Sequence, residues 1–152
     1  MKTDKREVGT AFLSRSTATL AAIADVLGHD TEAARYSRLA ERIKEAWRTE
    51  FLDDTDRTTV DTQASYVRAL SYELAPEKLR DAVAARLAEL IEAAGHHLGT
   101  GLLSTADLLP ALADTGHADL AYQVLPPAHL TLLARHARPG SHHDLGGVGR
   151  RR

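Results

Sequence analysis

Successive helical segments of this chain alternate between almost no charge and a great deal of it. Val8–Leu27 carries two charged residues, Arg15 and Asp25, in twenty positions, and Glu32–Glu50 carries nine in nineteen. Thr62–Leu74 falls back to two in thirteen, Glu77–Ala94 rises to seven in eighteen, and Thr105–Asp114 returns to two in ten. A helix nearly free of charge all round is buried on most faces, whereas an amphipathic one turns its charged side to water. Odd helices inside and even helices outside is what concentric helical layers require. The connections are short, so sequential helices pack antiparallel. The sequence therefore predicts an all-α fold of three antiparallel αα-hairpins set in an arc, part of a toroid or a short solenoid.

Local signals mark the joints. Gly28 stops the first helix, and Asp30 is expected to cap a second running to Phe51, with Leu39, Ile43, Ala46 and Trp47 on one face. After an Asp/Thr-rich turn, Leu52–Val60, Asp61 is expected to cap a third helix over Thr62–Leu74. Pro76 opens the fourth, which Gly95 ends; shorter helices follow over Thr105–Asp114 and Ala118–Leu125, with Gly116 between them. Beyond Leu125 the character changes. Pro126-Pro127 breaks the last helix, and Pro139–Arg152 has no apolar periodicity. Three of the five prolines and four of the eight histidines fall there, so residues 126–152 read as a disordered tail appended to a helical unit over 1–125.

Composition removes several classes of function. Nineteen basic against twenty-one acidic residues leave a formal charge of −2, so no positive field draws nucleic acid or an anionic membrane. The absence of cysteine excludes disulfides, thiolate zinc sites, iron–sulfur clusters and cysteine nucleophiles. Met1–Glu7 lacks the apolar core of a signal peptide, and no run approaches the ~20 apolar residues of a membrane span. The expectation is a cytoplasmic chain of 152 residues without membrane or nucleic-acid partners.

No metal or cofactor site emerges from the residues. Asp53, Asp54 and Asp56 are spaced like half a calcium loop, but the sixth position counted from Asp54 is Thr59 rather than Gly, and the twelfth is Ser65 rather than Glu. His96-His97 and His142-His143 are adjacent pairs whose side chains diverge, with no third ligand at helical spacing. Two polar loops have functional interest because each precedes a buried helix, whose N-terminus presents free N–H groups. They are Asp61-Thr62-Gln63 and Gly95–Ser104. Helix capping is the plain reading of Asp61 and Ser104. Acid/base chemistry needs two carboxyl groups facing one cavity. Asp61 and Asp107 are the inward-leaning carboxylates, and both sit where a helix's first turn is expected, so no catalytic pair assembles.

The text of the chain carries more. Ala24-Asp25-Val26-Leu27-Gly28-His29-Asp30, Leu39-Ala40-Glu41-Arg42-Ile43, Asp61-Thr62-Gln63-Ala64-Ser65-Tyr66, His97-Leu98-Gly99-Thr100-Gly101-Leu102-Leu103-Ser104-Thr105 and Gly116-His117-Ala118-Asp119-Leu120-Ala121-Tyr122 follow one another in an order that resembles the helical catalytic domain of bacterial α-L-rhamnosidases, glycoside hydrolase family 78. The resemblance implies a partial (α/α)6 six-hairpin glycosidase barrel. It also implies an inverting hydrolysis of terminal α-L-rhamnosides, in which one Glu protonates the leaving oxygen and another activates water on the opposite face. In the family the acid lies in an Arg-Leu-Gly-Trp context upstream and the base in a Thr-Thr-Ile-Trp-Glu segment downstream. Neither occurs here, and the one tryptophan, Trp47, lies on an outer helix. No catalytic residue is therefore assigned and the isolated chain is expected to be inactive. The resemblance puts both polar loops near the barrel mouth, which makes Asp61, Gln63, His97, Thr100 and Gly101 the expected sugar contacts.

The tail has its own reading. One allowed codon choice for Gly140–Gly149, read one base later, spells Gly-Ala-Thr-Thr-Ile-Trp-Glu-Gly-Trp. That is the base-bearing segment, so a frameshift between Leu125 and Gly140 is expected. Half a toroid also leaves inner-helix surface uncovered, so self-association is expected. Two rivals stand beside this reading: a non-catalytic helical-hairpin binding module, or part of another six-hairpin glycosidase. Hairpin starts near Val8, Thr62 and Thr105 give unequal spacings of 54 and 43 residues without a recurring motif, which disfavours a repeat module.

Overall fold

Alternation along the chain becomes layering in space. The computed structural model describes residues 4–55 and 57–125. Its helices are α1 (Lys5–Val26), α2 (Asp30–Phe51), α3 (Gln63–Ser71), α4 (Arg80–Ala93, entered through a 3-10 turn over Glu77–Leu79), α5 (Gly101–Asp114) and α6 (Ala118–Gln123). The described residues contain no regular strand, only an isolated antiparallel bridge between Leu52 and Thr58. No helix among them is long and apolar enough to cross a membrane. The expected tail, 126–152, and its frameshift lie outside the described residues, as does Asp56.

Each odd helix packs against the even helix that follows it, and α3 stands between α1 and α5. Side-chain links give the direction. Glu7 and then Arg15 of α1 meet Arg68 and then Tyr72 at the α3 end, while Ser104 and then Asp107 of α5 meet the same two partners. The three inner helices thus run the same way, with their partners returning outside. The core fills the space between the layers: Trp47 and Phe51 from α2; Tyr66, Val67 and Leu70 from α3; Val83, Leu87 and Ile91 from α4; Leu108 and Leu112 from α5.

Burial is less even than the charge pattern predicts. Seven of the nine α3 residues are buried, as an inner helix with neighbours on both flanks should be. Helices α1 and α5 are the ends of the arc and keep one flank open, with Leu13, Leu20, Ile23, Leu102 and Leu103 exposed. Helix α1 is also much longer than α3. Its last eleven residues run past the Arg15–Tyr72 contact, so the α1–α2 hairpin overhangs by about 16 Å at ~1.5 Å per residue.

Three expected boundaries move. Asp30 is the first residue of α2 rather than its cap; the capping position is His29, with no side-chain bond. Asp61 does not cap α3: Thr62 does, its hydroxyl accepting from the Ser65 N–H at 3.2 Å. Helix α5 begins at Gly101, four residues ahead of Thr105, which puts Ser104 inside the helix rather than at its cap.

Candidate functional site at the inner-helix N-termini

Because the inner helices are parallel, the segments before α3 and α5 meet at one end of the arc. A carboxylate there needs a partner, and Asp61 has two. Arg86 of α4 donates to both its oxygens, from Nη2 at 2.6 Å and from Nε at 3.1 Å, and the Tyr66 hydroxyl donates at 2.8 Å. The Arg86 bonds hold the Asp61 carboxyl below its usual range; burial opposes them and the Tyr66 bond assists. Asp61 stays a carboxylate fixed to the outer layer. This explains why Thr62 takes over the cap.

Gln63 is buried and latches the second loop. Its amide Nε2 donates to the Leu90 and His97 carbonyls at 3.3 and 3.1 Å, while its Oε1 accepts from the Gly99 N–H at 2.7 Å. The fit is close enough that a Cβ on Gly99 would lie 3.2 Å from the Gln63 amide. Thr100 is buried too, its hydroxyl 2.8 Å from that of Thr105. Gly101 is exposed and takes φ +63°, the left-handed region in which a side chain is strained.

His97 is exposed, and its ring orientation follows from its neighbours. Nδ1 lies 3.1 Å from the Ala94 carbonyl oxygen and 3.0 Å from that of Gly95, and both of these groups only accept. Nδ1 therefore carries the proton, and in the neutral ring Nε2 is left as an acceptor for a donor arriving from outside. Of the five residues expected to touch sugar, His97 and Gly101 are thus exposed at this end of the arc. Asp61 is partly exposed but committed to Arg86, while Gln63 and Thr100 are turned inward as framework.

Between the inner helices lies a buried group that the sequence reading passes over. Arg68 of α3 donates from Nε and Nη2 to the two carboxylate oxygens of Glu7, and from Nη1 to the Ser104 hydroxyl at 2.9 Å. All three residues are buried, so a charged pair with one hydroxyl ties the first turns of α1 and α5 to the middle of α3. Nearer the opposite end, Arg15 donates to the Tyr72 hydroxyl at 3.0 Å and to Asp107 at 3.2 Å, and Tyr72 donates to Asp107 at 3.0 Å. The signal for both groups is present in the charge count. Arg15, Arg68 and Asp107 are among the few charges on charge-poor helices, and a charge carried into such a layer needs a partner there.

Neither of the two carboxylates singled out in the sequence is free for acid/base work: Asp61 belongs to Arg86 and Asp107 to Arg15 and Tyr72. The loop carboxylate of Asp53 is spent in its own turn, accepting from the Thr55 and Arg57 N–H groups at 2.8 and 3.0 Å.

Parallel inner helices with antiparallel partners outside define the class of helical-hairpin toroids. The chain belongs to the bacterial α-L-rhamnosidase six-hairpin glycosidase domain family, whose model matches residues 1–129. An α-L-rhamnosidase of Streptomyces avermitilis is 44% identical over 124 residues, covering 82% of this chain and 12% of its own length. One from an Alteromonas species is 34% identical over 81% of the chain and 14% of its own length. Among solved structures, the Streptomyces avermitilis enzyme complexed with L-rhamnose matches with a TM-score of 0.78, and the native Aspergillus terreus enzyme with 0.80 at 26% identity. The chain thus spans about one-eighth of the length of these relatives and corresponds to part of their six-hairpin domain.

Proposed function

We propose that this chain supplies scaffold and part of the sugar-facing mouth of an α-L-rhamnosidase barrel, and that it does not turn over substrate alone. In the complete domain the reaction is inverting hydrolysis of a terminal α-L-rhamnoside. An acid protonates the leaving oxygen while a base activates water across the ring, which places two carboxyl groups about 6.5–9.5 Å apart. The observation that carries the reading is the engagement of Asp61 and Asp107 by arginines on separate elements: neither is a free acid, and they do not share a cavity. What the mouth offers is His97 Nε2 as an acceptor for a sugar hydroxyl, beside an exposed Gly101 that lets a ring approach the backbone.

The purified chain is expected to release no nitrophenol from 4-nitrophenyl α-L-rhamnoside above the buffer rate, and measurable turnover sinks the inactivity. Amide shifts on adding L-rhamnose are expected to concentrate on residues 97–101, and shifts confined to other segments would remove the mouth from the reading.

A further inference from the structure

Gln63 does more than fasten a loop, because of which atoms it fastens. Helix α4 is followed by two successive left-handed residues, Gly95 and His96, each at φ +61°. Glycine takes that region freely, whereas a histidine is strained in it and stays there only when its surroundings fix it. The His97 N–H reaches back to the Ala94 carbonyl at 3.3 Å, and among the described residues no backbone–backbone bond involves Leu98 or Gly99. Gln63 supplies the missing hold, taking the His97 carbonyl with its amide nitrogen and the Gly99 N–H with its amide oxygen. The His97 ring sits between that clamp and the end of α4, where Nδ1 faces the Ala94 and Gly95 carbonyls.

We propose that Gln63 is the positioning residue of His97 and thereby sets the hydrogen-bonding sense of this site. An imidazole free in water prefers the tautomer with its proton on Nε2. In the clamped loop two carbonyls, which only accept, hold the proton on Nδ1 instead, and Nε2 becomes an acceptor. Without the clamp, residues 97–99 leave the end of α4 and the ring returns to its ordinary tautomer, with Nε2 a donor. Gln63 is buried and acts through His97, which is exposed. The ligand class that the clamped ring takes is one offering O–H hydrogens, a polyol above all. As a statement about sugar this rests on the function proposed above; as a statement about the ring it does not.

The test is the ring-nitrogen magnetic resonance spectrum of the full 15N-labelled chain in alkaline buffer, where imidazole is neutral. A His97→Ala variant assigns the signals, and far-UV circular dichroism controls for folding. In the native chain His97 is expected in the Nδ1–H form, and in Gln63→Leu mainly in the Nε2–H form. Gly99→Ala approaches the clamp from the loop side, since its Cβ would lie 3.2 Å from the Gln63 amide, and is expected to shift the ring the same way. It carries the test if Gln63→Leu loses its helicity. A native ring already in the Nε2–H form, or an Nδ1–H ring that persists in the folded variants, overturns the proposal. L-Rhamnose titrations separate the two readings. Binding at residues 97–101 is expected to weaken by roughly 3- to 10-fold in Gln63→Leu. A native chain indifferent to L-rhamnose removes His97 as a sugar contact, and the ring spectrum still decides the role of Gln63.

Discussion

Arg68 shows what a single charge costs and supplies inside a helical layer. Breaking a buried pair leaves the remaining ion without its partner, typically at about 3–5 kcal/mol. Arg68→Ala, read by urea unfolding, is expected to lose stability of that order, because Glu7 would stay buried beside nothing that neutralises it. Glu7→Leu with Arg68→Met is expected to recover most of the loss, since apolar residues of similar volume often replace such pairs at little net cost. A double variant no better than the single one would show that the links, rather than the stranded charge, set the cost. Asp61 acts differently, being half in water. Its folded carboxyl titrates below the ordinary value of 3.8, so its stabilising contribution is complete above that pH and is lost as pH falls through the depressed value. The melting-temperature gap between the native chain and Asp61→Asn is therefore expected to close below about pH 4. A gap constant from pH 7 to pH 2 would remove the Arg86 pair as its cause.

At the scale of elements, the latch between α3 and the loop before α5 makes a prediction about motion. Gln63→Leu removes the acceptor of the Gly99 N–H and the donor to the His97 carbonyl, so hydrogen exchange at residue 99 is expected to accelerate while α3 itself stays protected. Unchanged exchange at 99 would mean that the loop holds itself. How much of these elements could be read in advance follows from their physics. The six helices and their pairing were legible, because charge density and glycine stops report burial and chain reversal directly. The start of α5 was not. Gly101 opens it with a positive φ and with Leu102 and Leu103 facing outward, so neither a capping side chain nor an apolar face marks the first turn. Gln63 was singled out as a sugar contact, and in the structure its buried amide bonds the Leu90 and His97 carbonyls and the Gly99 N–H. A buried amide and a ligand-binding amide have the same letter, and only the position of the Gly99 N–H separates them. Glu7 was missed because it stands among the charges of the N-terminal run, where nothing distinguishes it from solvated neighbours.

The whole molecule is unequal in what holds it. Helix α3 is enclosed by α1, α4 and α5, while among the described residues the α1–α2 overhang is supported by its own two helices. Native-state hydrogen exchange is expected to rank accordingly. The α3 amides should exchange near the global unfolding limit, and those of α1 beyond Arg15 and of early α2 should exchange through a smaller opening. Equal protection throughout would show that the overhang is coupled to the rest. The same direction of α1, α3 and α5 has an electrical consequence. Each helix carries a macrodipole equal to about half a positive charge at its N-terminus. Three of them stand side by side at one end of the arc, and the outer helices run the opposite way. That end of the arc therefore gains positive potential from the backbone itself, beside whatever its side chains contribute.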